Sequence, residues 1–188
     1  SALDAGPDLG NRMVIEDTAM QPSLLPEWFL TPDGSEPEFD PRVSIEKMLA
    51  SGAKVAWTDP LAEDFSLLPW CSGPLYEELQ ARRVPLLLDY EKTKSDDLEV
   101  ILSSFPGLRL VLLKVPRLGR NRHVYPLLSR HPNLMLCLSH AYSVHRGIED
   151  VGGRFGPPRW VFGSGYPEAE GGAAIAGLMF ADLSSDAR

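Results

Sequence analysis

The chain has 188 residues, of which 44% are hydrophobic and 23% charged, and its formal net charge is −8. This composition is ordinary for a globular protein with one well-cored domain. No apolar run approaches the roughly 20 residues that a membrane-spanning helix needs, and the acidic N-terminus does not resemble a secretion signal. Because a negative field repels phosphate backbones, we do not expect nucleic acid as a partner. The absence of a long apolar run means that we do not expect a membrane as a partner either. Two cysteines without CxxC spacing indicate buried thiols in a reducing cytoplasm.

Residues 1–39 are rich in proline, glycine and acidic side chains, which is typical of loops. Two apolar patches interrupt this segment, one beginning at Met13 and the other spanning Leu24 to Leu30. The sequence predicts a loop-rich N-terminal segment around one short strand, placed at Met13 to Thr18. The remainder is expected to form one domain with it.

From Asp40 onward, helical and strand-like segments alternate. Asp40-Pro41 supplies an N-cap and a proline at the first helical position, and Gly52 ends the helix that follows. Further helices are predicted at 75–79, 98–102, 124–129 and 172–180, and strands at 53–58, 84–90, 108–114, 133–139 and 159–163. The strands are nearly continuous apolar runs, as expected for strands covered on both faces. This pattern predicts an α/β fold with a parallel sheet.

Polar and unusual residues cluster where these strands end. The clusters are Thr58-Asp59-Pro60, Asp89-Tyr90-Glu91, Lys114-Val115-Pro116, Ser139-His140 and Gly163-Ser164-Gly165-Tyr166-Pro167. Parallel α/β folds place ligands and chemistry at the C-terminal ends of their strands. The sequence therefore predicts a functional site along this edge.

The segment Arg-Trp-Val-Phe-Gly-Ser-Gly-Tyr-Pro, residues 159–167, resembles the last barrel strand of the amidohydrolase-related (amidohydrolase-2) proteins, which usually ends in Gly-Ser-Asp-x-Pro. Supporting segments lie at 52–60, 84–88 and 104–111, and the resemblance spans roughly residues 40–180. It implies a (β/α) TIM-barrel fold and a metal-dependent hydrolase or decarboxylase. About five clear strands, with the one at 13–18, fall short of the eight in a closed barrel, so we expect a barrel lacking its first strands.

The resemblance also implies a metal, commonly zinc, held by a His-x-His pair, a histidine ending a middle strand, and the aspartate of Gly-Ser-Asp. Such a site lowers the pKa of bound water to roughly 7. In this chain Gly165 stands at the aspartate position, Asp89 at or near the middle-strand histidine, and Lys114 at or near a later catalytic histidine. No His-x-His occurs. The implied zinc site is therefore degenerate.

Asp89, Lys114 and His140 are the candidate catalytic residues. Lys114 is expected to pair with Asp89 across adjacent strand ends, which would replace the charge of a metal with an ammonium group. Asp89 is either a ligand or general base, or a cap of the following turn. His140 is either an acid, base or ligand, or an ordinary loop residue.

Arg117, Tyr90 and Ser164 are the candidate substrate-binding residues. Arg117 belongs to a basic segment that also contains Arg120 and Arg122, and it either binds a carboxylate or phosphate group or lies in a solvated loop. Tyr90 either lines an apolar pocket or packs in the core.

The sequence therefore predicts an amidohydrolase-related hydrolase or decarboxylase of a small organic acid or amide, with a degenerate metal site. Two alternatives stay open: a non-catalytic scaffold or binder of small anions, and a metal-free enzyme that uses Lys114 and Asp89 as an acid–base pair. Open barrel edges and the apolar patch at Leu24 to Leu30 predict a homo-oligomer.

Overall fold

The computed structural model describes residues 7–21, 23–32, 40–115, 122–139, 142, 146–166 and 169–185. Within these ranges, six strands form one sheet in chain order. The strands are β1 (Glu27–Phe29), β2 (Val55–Trp57), β3 (Leu86–Asp89), β4 (Leu110–Leu113), β5 (Leu134–Leu138) and β6 (Trp160–Phe162). The helices are α1 (Pro7–Ala19), α2 (Pro41–Ala50), α3 (Pro69–Arg82), α4 (Ser95–Ser104), α5 (Val124–Arg130), α6 (Gly147–Phe155) and α7 (Gly172–Met179).

Every neighbouring pair of strands is parallel. A helix lies between each strand and the next in the chain, which is the connection that parallel neighbours require. The predicted α/β class with a parallel, barrel-type sheet is confirmed. Because β1 and β6 occupy the two ends of the strand order, the described sheet has two edges.

The two faces of the sheet are packed differently. Alternate strand residues, the leucines at 86, 88, 110, 112, 134, 136 and 138, belong to the main core with the helices. The residues between them form a smaller cluster of Leu87, Val111 and Cys137, with Trp57 and Leu113 packed against it. In a parallel barrel the helices cover the outside, so the smaller cluster marks the inner face.

Helix α2 shows how local sequence sets an element boundary. Asp40 accepts a hydrogen bond from the Arg42 N–H at 2.8 Å, and Pro41 begins the helix, both as predicted. Helix α3 is longer than the predicted helix at 75–79, because it begins at Pro69 and contains Pro74. Pro69 stands in the first turn, where no backbone N–H is needed, whereas Pro74 lies inside the helix and removes one backbone hydrogen bond.

The N-terminal segment also differs from the prediction. Met13 to Thr18 lie in helix α1 instead of a strand, and the strand that begins the sheet lies inside the second apolar patch, at Glu27–Phe29. A side chain connects the two elements: Asn11 of α1 is buried and exchanges two hydrogen bonds with the Phe29 backbone, at 2.8 and 2.9 Å. Met13 is exposed, so its apolar character did not mark a core strand.

None of the described helices has the length and apolar character needed to cross a membrane.

Candidate functional site

The predicted contact between Lys114 and Asp89 is present at the C-terminal ends of β4 and β3. The Lys114 ammonium lies 3.3 Å from Asp89 Oδ2, and the Asp89 side chain is only 15% exposed. The pairing follows from the register, which places Asp89 beside Leu113, the residue before Lys114. Lys114 has a left-handed backbone, with φ of 52°, which is uncommon for a residue other than glycine. Its position is therefore set by local backbone geometry as well as by charge.

Asp89 has a second contact through its other oxygen. Oδ1 accepts a hydrogen bond from the Glu91 N–H at 3.1 Å, which caps the short 3-10 turn Tyr90–Lys92. Both interpretations of this aspartate, as a turn cap and as a partner of the lysine, are therefore present in one side chain. Capping fixes the carboxylate toward β4 and makes it a rigid partner for the cation.

A second carboxylate–lysine pair lies at the same edge and was not predicted. Asp59 follows β2, is 1% exposed, and binds the Lys92 ammonium through Oδ2. Its Oδ1 accepts hydrogen bonds from the backbone N–H groups of Leu61 and Ala62 at 3.2 and 3.1 Å. Burial by itself would raise the pKa of Asp59, but the Lys92 ammonium and the two N–H donors outweigh it and lower that pKa.

The two pairs lie side by side. Trp57 is in register with Leu87, so Asp59 and Asp89, each two residues further along, belong to the same level of neighbouring strands. Two ammonium groups thus lie along the ends of β2, β3 and β4. Asp59 was visible in the sequence as a polar residue at a strand end, whereas nothing in the sequence connected it with Lys92, which lies in a turn.

The ends of β5 and β6 carry small residues. Ser139 follows β5, is 5% exposed, and its hydroxyl has no hydrogen-bond partner among the described residues. Gly163 follows β6, and a Cβ added there would lie 2.5 Å from Cys137 Sγ, so no larger residue fits without a shift. Burial raises the pKa of the Cys137 thiol to about 11, so this cysteine stays protonated and acts as an apolar filler.

Ser164 and Tyr90, the other two predicted substrate-binding residues that are described, both have contacts within the fold, and their predicted roles stay predictions. Ser164 Oγ accepts a hydrogen bond from the Tyr166 N–H at 3.3 Å, so this hydroxyl takes part in the turn after β6. Tyr90 is half-buried and packs against the main core beneath the helices. Arg117, Arg120 and His140 lie outside the described residues, and their predicted roles stay predictions.

The described residues do not fit the zinc site that the sequence resemblance implied. No group of three or more histidine, cysteine, aspartate or glutamate side chains within the described ranges is arranged to hold a metal ion. Asp89 is engaged by Lys114, and Gly165 has a φ of 77°, a conformation that favours glycine over the aspartate of the usual motif.

Comparison with known proteins yields structural matches only, since no protein family and no curated protein matches the sequence. An uncharacterised TIM-barrel protein from Bordetella bronchiseptica superposes with a TM-score of 0.72 at 17% identity, covering 94% of this chain and 66% of that one. A dihydroxybenzoic acid decarboxylase from Polaromonas, with bound manganese and 2-nitroresorcinol, gives 0.70 at 14%, covering 98% and 71%. Amidohydrolase 2 from Bifidobacterium longum subsp. infantis gives 0.64 at 16%, covering 94% and 70%.

These matches confirm the fold expected from the sequence resemblance. The chain has the TIM-barrel architecture seen in amidohydrolase-type structures, and it spans about two thirds of the length of the first of them. Six parallel strands in chain order agree with part of an eight-stranded barrel. At identities of 13–17% the likeness shows the fold alone.

Proposed function

We propose that this chain is part of an amidohydrolase-related protein that acts as a hydrolase or decarboxylase on a small organic acid or amide, with a degenerate metal site. The observation that carries the proposal is the Lys114–Asp89 pair at the C-terminal strand ends. Chemistry in TIM-barrel enzymes takes place at that end of the barrel. Solved structures of the same fold include decarboxylases of aromatic acids, which supports small organic acids as the proposed substrate class.

The position of the pair within the barrel supports this proposal. If β6 is the last barrel strand, as the Gly-Ser-Gly-Tyr-Pro segment indicates, then β3 and β4 are the fifth and sixth strands. Asp89 and Lys114 then stand where the related proteins commonly carry histidines. An aspartate and a lysine in contact keep a titratable, charged pair in place of two imidazoles.

The chemistry available to the pair follows from its charges. A lysine ammonium is a compact cation that binds a carboxylate, and its side chain here is 39% exposed, so an incoming acid can reach it. Asp89 keeps the ammonium at the strand end and supplies a carboxylate in contact with it. We propose that Lys114 binds the acidic group of the substrate. Asp89 then acts as the general acid–base, which gives a proton to the reacting substrate or takes one from it.

Turnover and metal content test the proposal together. The purified chain is incubated with Mn²⁺ or Zn²⁺, desalted and analysed for metal, and then assayed with 2,6-dihydroxybenzoate and an aryl amide such as 4-nitroacetanilide, with and without EDTA. Turnover lost with EDTA supports a metal-dependent enzyme, and turnover that EDTA leaves unchanged supports an acid–base pair of Lys114 and Asp89. Absence of turnover with both compounds contradicts an enzymatic role.

A second candidate function is a non-catalytic scaffold or binder of small anions on the same barrel. Gly165 at the aspartate position of the usual motif favours it, because this loss removes a ligand without supplying another charge. Binding of 2,6-dihydroxybenzoate without turnover, by protein that retains no metal, is the result expected for this function.

A further inference from the structure

We infer that Ser139, at the end of β5 and therefore beside the end of β4, is a substrate-binding residue whose hydroxyl hydrogen-bonds an oxygen of the bound organic acid. This inference rests on the proposed function and deepens it. The sequence marked Ser139 only as part of a polar strand end. Its assignment comes from burial, from its missing partner and from its position beside Gly163.

The hydroxyl of Ser139 is buried and has no hydrogen-bond partner within the described part of the chain. With 5% exposure, it is shielded from solvent, and no described donor or acceptor lies within hydrogen-bond distance. A buried hydroxyl without a partner is a destabilising feature, and native proteins contain few of them. A hydroxyl kept in this state is expected to have its partner in a ligand.

The position of Ser139 faces the site. It is two residues beyond Cys137, and alternation along an extended segment places both on the inner face of the sheet. Cys137 is in register with Val161, so Ser139 and Gly163 are neighbours one level higher. The Gly163 N–H donates to the Leu138 carbonyl at 2.9 Å, so the strands are still paired at this level.

Gly163 lies beside Ser139 and leaves room for the Cys137 side chain on the inner face. A Cβ at this position would meet Cys137 Sγ at 2.5 Å, so a larger residue does not fit there without a shift. Glycines at such places permit close approach of a ligand to the backbone. The described strand ends thus carry lysine ammonium groups beside β3 and β4, and the small residues Ser139 and Gly163 at β5 and β6.

The separate positions of the Lys114 ammonium and the Ser139 hydroxyl indicate how a ligand is oriented. A small aromatic or aliphatic acid with its carboxylate on Lys114 presents a second oxygen, either the other carboxylate oxygen or a ring hydroxyl, toward Ser139. The serine hydroxyl donates a hydrogen bond to a carboxylate oxygen, and it either donates to or accepts from a ring hydroxyl. Benzoate and 2,6-dihydroxybenzoate separate the two cases, because benzoate has the carboxylate alone.

Ser139→Ala tests the inference against a buried serine that has a partner. Ser72 is fully buried, and its hydroxyl donates to the Ser66 carbonyl at 2.6 Å. We expect Ser72→Ala to lower the melting temperature by about 3 °C, as loss of a buried hydrogen bond does in a domain of this size. Ser139→Ala should leave it within about 1 °C of the wild type or raise it, because no bond inside the protein is lost.

Calorimetric titration with the two acids provides the binding readout. We expect Ser139→Ala to weaken 2,6-dihydroxybenzoate binding about tenfold, as removal of one hydrogen bond to a charged group does, while Ser72→Ala leaves the affinity unchanged. A similar loss for benzoate assigns the bond to the carboxylate, and a smaller loss assigns it to the ring hydroxyl.

Three results overturn the inference. If Ser139→Ala lowers the melting temperature as much as Ser72→Ala, the hydroxyl is bonded within the fold. If wild type and Ser139→Ala bind both acids equally well, Ser139 is not a binding residue, and the proposed function is untouched. If the wild type binds neither acid, the proposed function fails and the inference fails with it.

Discussion

Asp59 and Asp89 are both aspartates at strand ends, yet the structure surrounds them differently. Asp59 is almost fully buried, with two backbone donors on one oxygen and the Lys92 ammonium on the other. Asp89 is more accessible and divides its oxygens between a turn and Lys114. Asp59 therefore connects the loop after β2 with the 3-10 turn after β3. Asp89 instead positions the Lys114 ammonium at the site.

The environment of Asp59 predicts a pH dependence of stability. Because the pKa of Asp59 is lowered in the folded protein, its contribution is fully present above its unfolded value of about 4 and is lost as the pH falls through the lower folded value. Asp59→Asn should reduce the free energy of unfolding at pH 7 by roughly 1–3 kcal/mol, since Lys92 loses its charged partner. Urea denaturation at pH 7, 5 and 3 measures the difference.

The difference between wild type and Asp59→Asn should shrink as the pH falls from about 4 through the lowered folded pKa, because Asp59 is protonated first in the unfolded chain and then in the folded protein. Asp64→Asn is the matched control, because Asp64 lies in the same loop, is exposed, and has a left-handed backbone that asparagine tolerates. A pH-independent difference, or an equal loss in the control, would contradict the assigned role of Asp59.

At this scale the sequence predicted one pair and missed the other for a physical reason. Asp89 ends β3 and Lys114 directly follows β4. These strands are neighbours in a parallel sheet, so the contact between the two side chains follows from the topology. Lys92 lies in a 3-10 turn three residues beyond β3, and its direction depends on that turn. Sequence patterns predict strand ends well and the geometry of irregular turns poorly.

Among the elements, α5 and β6 are connected by a single side chain. Arg159 precedes β6, and its guanidinium donates to the carbonyls of Leu128, His131 and Leu134 at 2.7–2.8 Å. Leu128 lies in the last turn of α5, where backbone carbonyls have no partner within the helix. Burial lowers the pKa of Arg159, but an arginine stays charged at any ordinary pH.

Replacing Arg159 should destabilise this part of the sheet. Arg159→Met removes all three hydrogen bonds to carbonyls of buried residues, which we expect to reduce the free energy of unfolding by about 2–3 kcal/mol. Arg159→Lys should recover only part of this, because an ammonium does not reproduce the planar fork of a guanidinium. Thermal and urea unfolding of the three proteins measure the order, and equal stability of wild type and Arg159→Met would contradict the role.

The three central strands were predicted correctly from their buried apolar residues. The leucines of β3, β4 and β5 face the core on at least one side. Met13 to Ile15 were wrongly predicted as a strand, since these residues lie on helix α1, in which the buried residues are Gly10 and Asn11. An apolar triplet in a polar segment carries no information about which face is covered.

At the scale of the whole molecule, the sheet has two edges and an incompletely covered inner face. At the N-terminal end of the strands this face borders a cavity of about 640 Å³ lined by side chains that include Val55, Leu87, Val111 and Met135. Leu24 and Leu25 near β1 and Phe162 in β6 are exposed. Exposed apolar surface beside open strand edges favours association.

We therefore expect this 188-residue chain to self-associate at micromolar concentration. Sedimentation velocity between 1 and 100 μM should show a species larger than the monomer whose fraction grows with concentration. Phe162→Lys, which puts a charge on the β6 edge, should reduce the association, because charged residues protect strand edges. A single monomeric species at every concentration would contradict the predicted homo-oligomer.

The central claim is that Lys114, held by Asp89, binds the acidic group of a small organic acid, and calorimetric titration of Lys114→Met with 2,6-dihydroxybenzoate tests it most directly. Lys54→Met is the control, because Lys54 is exposed and precedes β2 at the opposite end of the strands. We expect Lys114→Met to weaken binding at least tenfold and Lys54→Met to leave it unchanged. Equal affinities of wild type and Lys114→Met would contradict the claim.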